Sequence, residues 1–159
     1  MGDGVAQPEP GGDGDGRDLD VQHARPAGAT DAEIEAAGAI SEALEKVERA
    51  RGHLYSFHQL IGAADLGFGE GADQLAATGH EELAGRLREE LIGLNVVAGR
   101  WSFQVVEDFD DHYWTTAREL DRAVREEVAD GRRHVFEAEM KQRRRTHGRP
   151  GHEATPEDL

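Results

Sequence analysis

A seven-residue apolar repeat constrains the fold of this chain more than any other feature of its sequence. The repeat has two columns, the second three residues after the first: Ile40, Val47, Leu54 and Ile61, then Ala43, Ala50 and Phe57. Residues at these spacings share one face of an α-helix. Thr30-Asp31-Ala32-Glu33 fits a capping box, in which Thr30 and Glu33 each satisfy a backbone N–H at a helix start. The pattern predicts a helix over 31–63 with a wide apolar seam, ended by the glycines of 67–71.

Further helices are predicted downstream. A short helix at 72–77 and a second possible capping box at 78–81 precede a leucine stripe, which predicts a helix over 80–97: Leu83, Leu87, Leu91 and Leu94. The stretch 101–114 fits a strand by the alternation of its first aromatic residues, but a longer series with helical spacing runs through it to Val124. The longer series favours a third helix from about 102, bent near Gly131 and continuing to about 145. We therefore expect an all-α fold, an antiparallel bundle of three or four helices.

The ends of the chain differ in composition from its middle. Residues 1–29 hold seven of the 20 glycines and three of the five prolines, with few large aliphatic side chains. Such a segment buries too little apolar area to offset ~1–2 kcal/mol of backbone entropy per ordered residue. We expect a disordered acidic tail over 1–29, a helical bundle domain over 30–146 and a second disordered tail over 147–159.

The charge balance argues against nucleic acid as a partner. The chain has 33 acidic and 18 basic residues, a net charge of −15, whereas phosphate binding requires Lys and Arg. The exception is a basic strip at 131–150, with seven bases and two acids. We interpret this strip as pairing with the protein's own acids and as stabilising the C-terminal end of its helix through the macrodipole.

Composition also bears on the compartment. The absence of cysteine excludes disulfides, thiolate metal sites and a cysteine nucleophile. No apolar stretch approaches the ~20 residues that span a bilayer, and the N-terminus lacks the basic and then apolar pattern of a secretory signal. The sequence therefore predicts a cytoplasmic protein without a membrane span.

Histidines and carboxylates suggest one alternative function. Asp108 and His112 lie four residues apart, on one face of a predicted helix, and His58 lies beside the seam. Carboxylate and imidazole groups suit zinc or iron. The alternative is a metal-binding bundle with hydrolase or oxidoreductase activity that holds zinc, iron or manganese at these three residues. Because no Glu-x-x-His pair, phosphate-binding glycine loop or serine elbow occurs, the main expectation includes no cofactor.

Aromatic residues concentrate in one segment. Five of the nine lie between Trp101 and Trp114. Phe103 and Tyr113 fit the buried positions of one helix, but Trp101, Phe109 and Trp114 cannot all join them on that face. Some of these three side chains must be exposed, cover a neighbouring helix or form an interface.

Arg51 lies beside the apolar seam of the first helix. An arginine there either extends its guanidinium to water or pairs with an inward carboxylate such as Asp110. Together these residues predict an interaction surface: Trp101, Phe109, Trp114 and Arg51. We expect a non-enzymatic protein that binds a protein partner or forms a homo-oligomer.

Overall fold

The regular structure of the chain is helical. The structure, a computed structural model, describes Leu19 and residues 21–154. The helices are α1 (Asp31–Ala77), α2 (Glu81–Glu90), α3 (Ser102–Phe109), a π-helical segment (Asp110–Trp114), α4 (Thr115–Ala129) and α5 (Val135–Arg144). Over the described residues, β-pairing is limited to an isolated bridge between Val97 and Arg100. The predicted all-α class is confirmed. None of the helices in this part of the chain is long and apolar enough to cross a membrane.

The first helix begins where the capping box predicts. The backbone N–H of Glu33 donates to Thr30 Oγ1 at 3.3 Å, and the Glu33 carboxylate accepts from the Thr30 N–H at 2.8 Å. Both groups are backbone donors that the first turn of a helix leaves without an intrahelical partner. The hydrogen bonds from Thr30 lower the pKa of the Glu33 carboxyl. The predicted start of α1 is confirmed.

The predicted end of this helix at 67–71 is wrong, because α1 continues through these glycines to Ala77. Glycine costs a helix about 1 kcal/mol relative to alanine but does not by itself end it. A glycine in the left-handed conformation is a common helix end, and the first such glycine after α1 begins is Gly79, at φ +88°. The predicted short helix at 72–77 is therefore the last part of α1.

The second helix is shorter than predicted, ending at Glu90 rather than near 97. Gly93 adopts φ +77° three residues later. The predicted capping box at 78–81 is also wrong. The hydroxyl of Thr78 donates to the carbonyls of Gln74 and Leu75, at 3.1 and 3.0 Å, and so satisfies the C-terminal end of α1 instead.

The stretch 101–114 is helical, and the strand interpretation of it is wrong. The N–H of Trp101, just before α3, donates to the Gln104 side chain at 3.0 Å. The bent helix predicted around Gly131 is instead two helices, since α4 ends at Ala129 and α5 begins at Val135. Asp130 and Gly131 have φ of +50° and +74° between them, a left-handed conformation that ends a helix.

Contacts divide the described part of the chain into two compact units, one made of residues up to 41 together with residues from 121 on, and one made of residues 42–120. The core of the first unit is formed by Ile34, Ala129 and Val135. Asp121 is buried in this unit. Its carboxylate accepts from the Ser41 hydroxyl at 2.6 Å and from Arg125 Nε at 3.0 Å, and Arg125 Nη2 forms an ion pair with it at 2.9 Å.

Part of the predicted N-terminal tail contacts α5 within the first unit. Arg25 donates to both carboxylate oxygens of Glu139, at 2.6 and 2.9 Å, and Arg132 donates to the carbonyl of Ala24 at 2.7 Å. Pro26 is buried. The rest of the two predicted tails, residues 1–18, Asp20 and 155–159, lies outside the described residues.

Candidate functional site

In the second unit, one of the two predicted columns of the α1 seam is half-buried as expected, and the other is shifted along the helix by one residue. The first column is half-buried as predicted: Val47, Leu54 and Ile61. The second predicted column is exposed: Ala43, Ala50 and Phe57. The half-buried column follows it by one residue: Leu44, Arg51 and His58. The inward face of α1 therefore carries polar side chains that need partners.

Arg51 pairs with the carboxylate that the sequence suggested. Its Nε and Nη2 donate to the two carboxylate oxygens of Asp110, at 2.7 and 2.8 Å. The Asp110 side chain is 18% exposed. The hydrogen bonds from Arg51 lower the pKa of the Asp110 carboxyl below its ordinary value, and the same contact raises the pKa of Arg51. Of the two positions expected for the guanidinium, the one paired with Asp110 is therefore observed.

Two further polar residues follow Arg51 on α1 at the same seven-residue spacing. The His58 ring nitrogen Nδ1 lies 2.8 Å from the hydroxyl of Ser102, and the Asp65 carboxylate accepts from the backbone N–H of Gly93 at 2.8 Å. Each contact joins α1 to a different later segment of the second unit. Polar pairs within a helical seam fix its register, because a shift along the helix leaves them without partners.

Two guanidinium groups contact the ring system of Trp114. The Arg51 guanidinium carbon is 4.2 Å from the centre of the Trp114 ring system, and that of Arg118 is 4.5 Å from it. Both distances are within the range of cation–π attraction. The indole Nε1 is buried and has no hydrogen-bond partner. Trp114 thus contributes its ring face to this cluster, which we call the Arg51 cluster: Arg51, Asp110, Trp114 and Arg118.

A π-helical segment positions two members of the Arg51 cluster. Asp110 is its first residue and Trp114 its last, and both contact Arg51. A π-helical turn contains an extra residue and leaves the regular hydrogen-bond ladder disturbed. The hydroxyl of Thr115 donates to the Asp110 carbonyl at 2.6 Å and supplies a further hydrogen bond at this turn. The sequence does not predict this segment, because no periodicity distinguishes one wide turn within a helix.

The four residues of the predicted interaction surface divide into three groups. Arg51 and Trp114 are joined in the Arg51 cluster. Phe109 stacks on Tyr113, with ring centres 5.8 Å apart, and Trp101 lies 5.2 Å from Phe103. The Trp101 side chain is the most open of the three predicted aromatic residues, at 56% exposure.

Two of the three residues of the alternative metal site have other partners. The His58 ring contacts Ser102, and Asp108 forms an ion pair with Arg100 at 3.0 Å. Across Leu19 and residues 21–154, no group of three or more His, Cys, Asp or Glu side chains is arranged to hold a metal ion. The structure does not assemble His58, Asp108 and His112 into such a site.

The sequence did not predict one exposed apolar face on α1. It follows a helical spacing of three, four and four residues: Phe57, Leu60, Ala64 and Phe68. Leu60 is 68% exposed and Phe68 is 44% exposed. The signal was present in the sequence, since the apolar arc of α1 is wider than one neighbouring segment can cover. We call this surface the α1 face.

The α1 face overlaps an acid-free stretch of the chain, and only Phe68 lies beyond that stretch. Residues 49–64 contain Arg49, Arg51 and two histidines but no Asp or Glu, in a protein with 33 acidic residues. The electrostatic repulsion between two copies of a chain with charge −15 is therefore reduced where this stretch is presented.

Known proteins offer no guide to the role of these residues. No protein family, curated protein or solved structure matches the chain. A function has to be inferred from the side chains themselves. The Arg51 cluster joins its own groups to one another, whereas the α1 face leaves large apolar side chains open.

Proposed function

We propose that this chain is a non-enzymatic helical module that associates with a second copy of itself through the α1 face. The observation that carries the proposal is the contrast between what the second unit buries and what it exposes. Its buried apolar side chains are few and mostly small: Ala72, Ala84 and Val106. Large apolar side chains of the α1 face stay open: Phe57, Leu60 and Phe68. Contiguous exposed apolar surface is typical of protein–protein contacts.

Charge supports a second copy as the partner. Most surfaces of a chain with charge −15 repel a like-charged neighbour, and the acid-free stretch 49–64 does not. Just before this stretch, the Glu42 carboxylate forms an ion pair with Lys46 at 2.7 Å. The negative charge of Glu42 therefore contributes less to the repulsion between two copies. Homo-oligomers most often use one surface twice around a two-fold axis, and a surface of apolar and aromatic side chains is complementary to itself.

Sedimentation velocity over a range of protein concentrations tests the proposal. We expect the wild-type chain to shift from one towards two chain masses as concentration rises. Leu60→Asp introduces an acid at the centre of the α1 face and should keep the chain monomeric. Leu66→Asp is the matched control, because Leu66 lies on the same helix, is 72% exposed and falls outside the α1 face.

Circular dichroism melts establish that both aspartate variants fold. A wild-type chain that stays monomeric at every concentration would overturn the proposal. So would equal loss of association in Leu60→Asp and Leu66→Asp, because the effect would then come from added charge and not from the α1 face.

The sequence-predicted aromatic surface supplies a second contact to test. Trp101 is its open side chain, whereas guanidinium groups cover the Trp114 ring. We expect Trp101→Ala to weaken self-association, measured by the same sedimentation series. Unchanged sedimentation would limit the contact to the α1 face.

We further propose that the association takes place in the cytoplasm, as the composition of the chain suggests. A cysteine-free protein needs no oxidising compartment for its fold. Cell fractionation with a tagged chain tests this placement, and recovery in a membrane or secreted fraction would contradict it.

A further inference from the structure

The C-terminal part of α5 and the residues after it form another acid-free stretch, with a far higher density of positive charge than residues 49–64. Residues 141–149 contain five basic residues and no acidic one. Lys141 and Arg144 lie three residues apart on α5, so they share a helix face, and both are exposed. No carboxylate among residues 21–154 forms an ion pair with either side chain. We call the surface that carries Lys141 and Arg144 the α5 face.

The helix macrodipole accounts for only part of this charge. A helix C-terminus carries a partial charge of roughly −0.5, so one or two basic residues in the last turn are enough to complement it. Within α5, Arg143 already lies 4.0 Å from the Glu139 carboxylate. The positive charge of Lys141 and Arg144 is therefore left for another group.

The chain enters the first unit against the helix that carries this surface. Arg25 is held on Glu139 by two hydrogen bonds of 2.6 and 2.9 Å, and Glu139 lies on α5 two residues before Lys141, on the opposite side of the helix. Asp20 precedes Arg25 by five residues, and each residue spans at most ~3.6 Å of extended chain. The segment that ends at Asp20 is therefore long enough to pass around α5 to Lys141 and Arg144.

The residues that precede Arg25 have the opposite charge. Residues 1–20 contain six acids and one base, and the last eight of them hold four aspartates: Asp13, Asp15, Asp18 and Asp20. A segment anchored this close to a surface is present at a high effective concentration, so weak charge pairs are sufficient for it to bind. We propose that the acidic segment 13–20 docks on the α5 face of its own chain.

The absence of cysteine makes a site-specific test simple. A nitroxide spin label attached to the Gly16→Cys variant lies within the acidic segment. In the ¹⁵N-labelled full-length chain, the label broadens the NMR signals of the backbone amides that approach it. At low salt we expect the amides around Lys141 and Arg144 to broaden. In 0.5 M salt the broadening should disappear, because exposed charge pairs are then screened within a few ångströms.

Charge variants separate this contact from a general electrostatic effect. Replacing the four aspartates of segment 13–20 by asparagine should abolish the broadening. The matched control removes four exposed acids elsewhere and should keep it: Glu45→Gln, Glu89→Gln, Glu119→Gln and Glu127→Gln. Loss of broadening in the control as well would overturn the proposal, and so would its persistence in the asparagine variant.

A mixed sample identifies the occupant of the α5 face. Chain that carries the nitroxide but no ¹⁵N is mixed with ¹⁵N-labelled chain that carries no nitroxide. Only contacts between two copies can then broaden the ¹⁵N-labelled amides. We expect none at the α5 face. If the α5 face is broadened in the mixed sample as much as in the uniformly labelled one, the acidic segment comes from a second copy. If no low-salt sample shows broadening, the α5 face is open. Either result would overturn the proposal without bearing on self-association through the α1 face.

Discussion

The Asp110 carboxylate receives two hydrogen bonds from the Arg51 guanidinium, 59 residues earlier in the chain, at 2.7 and 2.8 Å. The same guanidinium lies against the Trp114 ring, so one arginine joins both ends of the π-helical segment to α1. Arg51 thus takes part in an ion pair and a ring contact at one irregular turn. Substituting one residue at a time measures how much each contact contributes to the free energy of unfolding.

Asp110→Asn removes the charge and keeps the shape of the side chain. We expect the free energy of unfolding to fall by about 1 kcal/mol, the upper end for a partly exposed ion pair, because two charge-assisted hydrogen bonds are weakened. Urea denaturation measures the change. Asp111→Asn is the control, since its side chain is exposed. Equal effects of the two substitutions would contradict a specific role for the Arg51 pair.

Acid should weaken the fold through two carboxylates in particular. Hydrogen bonds from Arg51 lower the pKa of Asp110 below 3.8, and hydrogen bonds from Arg25 lower that of Glu139 below 4.5. The folded chain therefore binds fewer protons at these sites than the unfolded chain, so their stabilisation is complete above about pH 5 and is lost as the pH falls towards and below the depressed folded values.

Melting temperatures measured from pH 6 to pH 3 test this dependence. We expect the wild-type midpoint to fall with pH more steeply than that of a chain carrying both Asp110→Asn and Glu139→Gln. Parallel curves would show that these two carboxylates do not contribute to the acid sensitivity.

The buried carboxylate of Asp121 should be the most sensitive charged position in the first unit. Asp121→Ala leaves Arg125, whose side chain is only 13% exposed, without its partner. Breaking a buried ion pair from one side costs about 3 kcal/mol. Glu126→Ala breaks the exposed pair with Arg122, at 3.7 Å, and should change the free energy of unfolding by less than about 1 kcal/mol. Similar losses in the two variants would contradict the burial of Asp121.

The glycines inside α1 should be replaceable with a gain in stability. A Cβ at Gly67 or Gly69 would meet no atom within 4 Å, and both positions are helical. Alanine at each position should raise the free energy of unfolding by about 1 kcal/mol. Gly79→Ala is the opposite case, because φ there is +88° and a side chain is strained. Thermal melts that rank the three variants otherwise would contradict the continuous helix.

Local signals in the sequence predicted local structure well. The start of α1 depends on Thr30 and Glu33, three residues apart, so the chemistry of the cap is complete within one turn. The end of α1 was not predictable in the same way. Gly67 and Gly79 are the same residue type, and only the backbone conformation, helical at one and left-handed at the other, decides which of them ends the helix.

At the candidate site, the sequence alone could not decide which residues far apart in the chain contact each other. The columns beginning at Ala43 and Leu44 are adjacent on α1, so periodicity alone does not decide which of them faces inward. The inward column is the one whose polar members find partners in other segments, as Arg51 does in Asp110. Asp121 is the same case, because its burial depends on Ser41, 80 residues away.

The two tryptophans of the chain differ in how much water reaches them. Trp101 is 56% exposed, whereas two guanidinium groups contact the Trp114 ring system. In a Trp101→Phe chain the light emitted by the single remaining indole would shift to longer wavelength when α1 separates from the π-helical segment. The protein thus contains its own optical probe for the opening of the Arg51 cluster, and no dye has to be attached.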